Sequence, residues 1–187
     1  MRKFGRAVLA FLFAFVLVSL TARVASAGDN TIRQPGDHPN YVIEMEPHVI
    51  FGWDGAAWNG YDTGGYGVGG RFTIPIVKNG FVTTINNTVG IGFGVDFTYY
   101  GCGALSCKGN AADLLSFPVV MQWNFYVAQR WSVFGEPGLS FNYASALPNS
   151  FFPYPVFEVG GRYHLNEHVA LTARIGFPYF SFGVSFM

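Results

Sequence analysis

The sequence predicts an all-β fold: an eight-stranded antiparallel up-and-down transmembrane β-barrel, preceded by a signal peptide. Three observations predict it. The first residues have the build of an export signal. The rest of the chain repeats a two-residue alternation of apolar and polar residues, broken by Gly, Pro, Asn and Asp clusters. Every charged or His residue within the alternating segments falls on the same face.

The export signal is read over residues 1–27. Arg2, Lys3 and Arg6 form a positive start, Ala7 to Leu20 is apolar apart from Ser19, and Ala25-Ser26-Ala27 is a small-residue cleavage site. The apolar run is short for a membrane-spanning helix, which needs roughly 20 residues. No cysteine lies near the cleavage site, which argues against a lipoprotein. The whole chain of 187 residues balances 11 Lys+Arg against 11 Asp+Glu. The signal holds four of the basic residues (Arg2, Lys3, Arg6, Arg23) and no acid, so its removal leaves a net acidic protein. That charge argues against nucleic acid as a partner. Residues 28–40 read as a short periplasmic segment and 41–187 as the barrel.

Eight segments alternate: Tyr41–Trp53, Gly67–Val77, Thr88–Tyr99, Leu114–Val127, Trp131–Tyr143, Pro155–Leu165, Val169–Gly176 and Tyr179–Phe186. Their lengths suit a tilted membrane strand of about 9–11 residues. In the last, Phe180, Phe182, Val184 and Phe186 share one face and Ser181, Gly183 and Ser185 the other. In the third, Val89, Ile91, Phe93, Val95 and Phe97 oppose Gly90, Gly92, Gly94, Asp96 and Thr98. A soluble barrel or sandwich also alternates. The apolar face decides against it, because a small interior cannot hold that many Phe, Trp and Leu side chains. The Gly, Ser and Thr of the polar face do suit the narrow lumen of an eight-stranded barrel. Aromatic residues gather where segments end (Tyr41, Trp53, Tyr99, Tyr100, Phe125, Tyr126, Trp131, Tyr154, Tyr163, Phe177, Tyr179), as expected of two membrane interfaces.

The connections divide by length. Asp54–Tyr66, Gly101–Asp113 and Ala144–Tyr154 read as outer loops. Residues 128–130 and 166–168 read as inner turns, as does Lys78-Asn-Gly80. Phe81–Asn87 either prolongs a strand or lies on the inner surface. Cys102 and Cys107 sit in one outer loop, and in an oxidising compartment they read as a small disulfide clasp.

The closing segment, Tyr179-Phe-Ser-Phe-Gly-Val-Ser-Phe-Met187, resembles the last strand of small bacterial outer-membrane barrels of the OmpA/OmpX type. Val169–Gly176 and Gly90–Asp96 look similar to strands of those proteins. The resemblance covers nearly all of the chain after the signal. It implies an outer-membrane location, contact with outer-membrane lipid, and recognition of the C-terminal strand by the barrel-assembly machinery. One departure is that the terminal aromatic, Phe186, is penultimate. No peptidoglycan-binding domain is expected with the barrel.

On the polar face, Glu44, Glu46, Asp96, Glu136 and Glu158 can meet Arg71, Arg162 and Arg174, with Gln122, Asn124, His48 and His164 in support. Buried charges must be paired or hydrated. These twelve residues are therefore expected to form a polar network in the lumen. One reading of it is a plug; another is a narrow pore with excess acid. No catalytic residue, metal site or cofactor is assigned. His164-Leu-Asn-Glu-His168 spells an inverted zinc-protease motif, but that chemistry needs both His on one helix face, and this run crosses a strand-turn-strand junction. His48 beside an acid is a weak acid–base candidate. Asp54, Asp62 and Asp113 read as turn formers. Gly64–Gly70 lacks the Lys-Ser/Thr and helix of a phosphate loop, and the sequon at Asn86-Asn-Thr88 is a chance-level signal. The functional expectation is a structural or surface-interaction role. A transporter for small or apolar solutes is the second reading and an envelope-lipid enzyme the third.

Overall fold

A computed structural model describes residues 31–52, 64–100, 112–144, 151–177 and 179–187. The signal segment and both cysteines lie outside the described residues, so the proposed cleavage and disulfide are not addressed by it. Residues Thr31–Met187 form one compact unit.

Eight antiparallel strands close on themselves in chain order, with β1 paired to β8. They are β1 (Glu44–Gly52), β2 (Gly65–Val77), β3 (Asn87–Tyr100), β4 (Ala112–Ala128), β5 (Trp131–Ala144), β6 (Phe151–His164), β7 (Val169–Phe177) and β8 (Tyr179–Phe186). Closure gives every strand a paired neighbour on both sides. Both ends of the unit and the short turns lie at one end, the turn end. Strand ends Gly52, Gly65, Tyr100, Ala112, Ala144 and Phe151 lie at the other, the loop end.

The strands differ from the sequence expectation at their ends. β1 starts at Glu44 rather than Tyr41, because residues 31–43 are taken up elsewhere. A short 3-10 turn, Thr31–Arg33, begins a segment that packs at the turn end. There Asn86 N–H donates to the Ile32 carbonyl at 2.8 Å, and the His38 ring stacks on Tyr126 at 4.9 Å. β6 starts at Phe151 rather than Pro155. Pro153 suggests a loop, yet it pairs in register with β5 opposite Phe141, as Pro155 does opposite Leu139. They have the same parity, so their missing N–H groups fall along one edge. Over this length β6 has no partner in β7, whose pairing starts at Phe157. Elsewhere the ladder lapses beside Pro47 (β1–β8), Pro118 (β3–β4) and Pro137 (β4–β5), where a donor is missing.

The barrel is inside out relative to a soluble one. In β1 and β8 exposure alternates strictly, with the polar residues buried. Phe93, Phe141, Phe157 and Phe182 are exposed on the outer wall, whereas Glu136 and Arg162 are buried. In water each such outward Val, Ile, Leu or Phe would forgo roughly 1.5–3 kcal/mol of burial free energy. Apolar surroundings remove that penalty.

Candidate functional site

The lumen is the candidate site. Its contents follow from strand phase: residues at i, i+2 and i+4 project to one side of the sheet, and all eight strands contribute to one interior. Glu44, Glu46, His48, Arg71, Asp96, Gln122, Asn124, Glu136, Glu158, Arg162, His164 and Arg174 are all buried there.

Glu136 stands at the centre. Its Oε2 accepts from Arg174 Nε at 2.8 Å and Arg71 Nη1 at 3.0 Å, and its Oε1 accepts from Gln122 Nε2 at 2.6 Å. Arg71 Nη1 also donates to Glu158 Oε2 at 3.0 Å. Glu158 faces Glu136 directly across β5–β6, so the guanidinium between them offsets the repulsion of two neighbouring carboxylates. Arg174 reaches across the lumen to Glu46 on β1 with both terminal nitrogens, the fork geometry that suits Arg to carboxylate. Ser185 Oγ donates to the same carboxylate at 3.1 Å.

Towards the turn end, Arg162 pairs with Glu44 at 2.6 Å and donates to Asn124 Oδ1 at 2.7 Å. Asn124 donates in turn to Gln122 Oε1 at 3.0 Å, joining this layer to Glu136. Towards the loop end, Arg71 Nη2 donates to the Tyr179 hydroxyl at 3.0 Å, and Tyr179 donates to Asp96 Oδ2. His48 Nε2 lies 2.9 Å from Asp96 Oδ1, and His48 Nδ1 lies 3.8 Å from Glu46 Oε1, which closes the circuit. Eleven of the twelve residues thus form one connected array. His164 stands apart, its Nε2 3.0 Å from Ser132 Oγ.

Sequence reasoning missed several participants. Phe134 lies inside the lumen, with Arg162 over its ring at 4.6 Å and Arg174 at 5.1 Å. Its face occupies guanidinium surface that carboxylates do not reach. Tyr100, Tyr126, Tyr154 and Tyr179 were expected at the membrane interfaces; all four are buried on the lumen side. The phase held the signal for each. Phe134 falls between Ser132 and Glu136, and Tyr179 shares the parity of Ser181, Gly183 and Ser185. An aromatic at a strand end reads as an interfacial ring only if parity is ignored.

Gly160 shows how tightly the interior is filled. A methyl group there would sit 2.2 Å from Phe134 Cζ and 2.8 Å from the Ala173 carbonyl. Below the array, the Tyr41 hydroxyl lies 3.5 Å from Glu44 Oε2. Burial, with Tyr126 and Glu44 beside it, pushes its pKa well above the ordinary phenol range, so it remains protonated and able to donate.

The H-x-x-E-H run folds as strand then turn. His164 points into the lumen, while Glu167 and His168 are exposed in the turn that joins β6 to β7. Asn166 Oδ1 accepts from the His168 and Val169 N–H groups at 2.8 and 2.9 Å, the side-chain-closed turn that Asn favours. Among the described residues no group of three or more His, Cys, Asp and Glu is arranged to hold a metal ion. The chemistry available to the array is cross-bracing. Arg174 ties β7 to β1 and β5, Arg71 ties β2 to β5 and β6, and Arg162 ties β6 to β1.

No protein-family model matches the chain, and no curated protein matches it. Solved structures that are similar include a de novo designed transmembrane β-barrel, with 13% identity, TM-score 0.49, and 83% of this chain and 98% of the other covered. Ail of Yersinia pestis, in a phospholipid nanodisc, gives 11% identity and TM-score 0.47 over 76% of this chain and 97% of Ail. The outer membrane protein OprG of Pseudomonas aeruginosa gives 10% identity and TM-score 0.45 over 80% and 97%. At such identities no residue role passes from one chain to another.

Proposed function

We propose that this chain is a non-enzymatic outer-membrane β-barrel with a plugged lumen, serving a structural or surface-interaction role. The observation that carries the reading is the inversion of the wall. Ion pairs and hydrogen bonds fill the inside, and a continuous apolar surface faces out. A lipid bilayer is the surrounding that suits both faces, and closed barrels are one of the two backbone designs that satisfy every peptide group within it.

Export through a cleaved signal at residues 1–27, contact with outer-membrane lipid, and insertion by the assembly machinery through the strand ending at Phe186 belong to the same proposal. So does the absence of a nucleic-acid partner. Specificity for a surface partner would reside in the loop-end connections, since binding residues concentrate on loops held by rigid scaffolds. The plug is favoured over the pore because the array ties all eight strands together across the lumen, and water-filled channels need many more strands. Five carboxylates against three guanidiniums nonetheless give the interior an acidic bias, so any leak should favour cations.

Two experiments test the proposal. Membrane fractionation should place the protein in the outer membrane, and an unboiled sample should migrate differently from a boiled one on a denaturing gel; a soluble, heat-unmodified protein contradicts the membrane reading. Planar-bilayer recording should give no reproducible discrete conductance. Discrete cation-selective steps would replace the plug by the pore and leave the membrane reading intact.

A further inference from the structure

The connection from β2 to β3 is more than a short inner turn. Asn87 and Val89 have the outward parity of Ile91 and Phe93, yet both are 0% exposed. At Asn87 the cover on the outside of the wall comes from residues 78–86 together with Trp123 of β4.

Asn87 Nδ2 donates to the carbonyls of Val82 at 2.7 Å, Ile85 at 2.8 Å and Asn79 at 3.2 Å. Its Oδ1 accepts from the indole N–H of Trp123 at 3.0 Å. One side chain on the outer face therefore holds the turn folded back against the wall. Gly80 adopts φ +60°, a conformation that L side chains rarely take, and a Cβ there would collide with the Asn87 amide. Phe81 meets Trp123 edge-on, with centroids 5.6 Å apart, and Trp123 in turn packs on Phe125 at 4.8 Å. The turn thus continues the aromatic surface of β4. Its own apolar side chains point away: Phe81 is 57% exposed and Val82 37%, with Lys78 exposed at its start.

We propose that the turn Lys78–Asn86 is a bilayer anchor, built to seat Phe81 and Val82 at the acyl–headgroup boundary of the inner leaflet with Lys78 at the phosphates. This rests on the membrane reading above and adds to it a specific docking element outside the strands. Continuity commits the surface to lipid. Phe81 extends the same outer wall through Trp123, and Lys78 is exposed at the start of the turn, free to meet headgroup phosphates. Asn87 satisfies three of the turn's carbonyls, and a backbone at that depth requires such partners.

Bimane attached at Val82→Cys, with Cys102→Ser and Cys107→Ser, tests this in vesicles of phosphatidylethanolamine and phosphatidylglycerol. Labels at Ile91→Cys on the outer wall and Glu167→Cys in the exposed turn serve as references. Brominated lipid should quench the Val82 label several-fold more than the Glu167 label, and aqueous iodide should do the reverse. Adding Phe81→Ser should cut the lipid quenching at residue 82 by at least half while leaving it unchanged at residue 91. If residue 91 is quenched by lipid but residue 82 behaves like residue 167, the anchor is wrong and the barrel stands. That outcome would leave the turn as a surface for a periplasmic partner. If residue 91 is also quenched only by iodide, the membrane reading itself fails.

Discussion

Phe93 and Asp96 stand three residues apart on β3, and their surroundings are opposites. Phe93 is 41% exposed on the outer wall and stacks on Phe72 of the neighbouring strand; Asp96 is 0% exposed between His48 and Tyr179. The outer face is repetitive and tolerant, because any large apolar group suits hydrocarbon. The inner face is specific, because each charge depends on a named partner across the lumen. The same strand therefore answers to two kinds of selection, one on composition and one on geometry. Mutations should separate them.

The largest effect is expected inside. Arg174→Met removes the guanidinium shared by Glu46 and Glu136 and leaves two buried carboxylates short of a partner. Equilibrium unfolding in urea from lipid vesicles should show a loss of about 3–5 kcal/mol. Adding Glu46→Gln should recover part of it by removing one stranded charge. On the outer face the response should depend on charge alone. Phe93→Lys should cost about 2–4 kcal/mol near mid-depth, whereas Phe93→Leu should cost less than about 1.5 kcal/mol. An equal cost for Lys and Leu would mean that this face does not meet hydrocarbon.

A third substitution probes filling rather than charge. Gly160→Val overpacks the lumen against Phe134 and should destabilise by about 1–3 kcal/mol. Gly70, also a wall glycine, has open space where a Cβ would go, and its replacement by Ala should be close to neutral. The smallest effect is expected near the loop end, where the described buried residues include Thr98, Tyr100, Ser140, Asn142 and Tyr154 rather than charges. Ser140→Ala deletes one hydroxyl bond to Asn142, 2.8 Å long, and should cost about 1 kcal/mol. A loss there as large as that of Arg174→Met would show that the interior is not braced by its ion pairs.

Legibility in the sequence follows the same division. Parity tells which side of the wall Glu136, Arg162 or Phe93 takes, because a β-strand changes side at every residue and a misplaced charge would meet lipid. Parity does not tell that Arg174 reaches Glu46 or that Arg71 serves two acids. Those contacts join strands distant in sequence, and they depend on the register with which the ring closes. Phe134 and Tyr179 were legible by parity; Tyr179 was obscured by its place at a strand end. The sequence left Phe81–Asn87 open between a longer strand and a segment on the inner surface, and the choice depends on the carbonyls of Asn79, Val82 and Ile85 that gather around the Asn87 amide. The first residues of β6 were hidden by Pro153, whose cost depends on which edge of the strand has a partner.

The inversion of the wall can be measured along a single strand. Nitroxide labels placed one at a time from Ile91 to Thr98 of β3, in the protein inserted into bilayers, report accessibility to oxygen, which concentrates in hydrocarbon. The account predicts a period of two, with residues 91, 93, 95 and 97 open to oxygen and 92, 94, 96 and 98 shielded from it. High oxygen accessibility at residue 96 with shielding at 93, or no alternation at all, would contradict it.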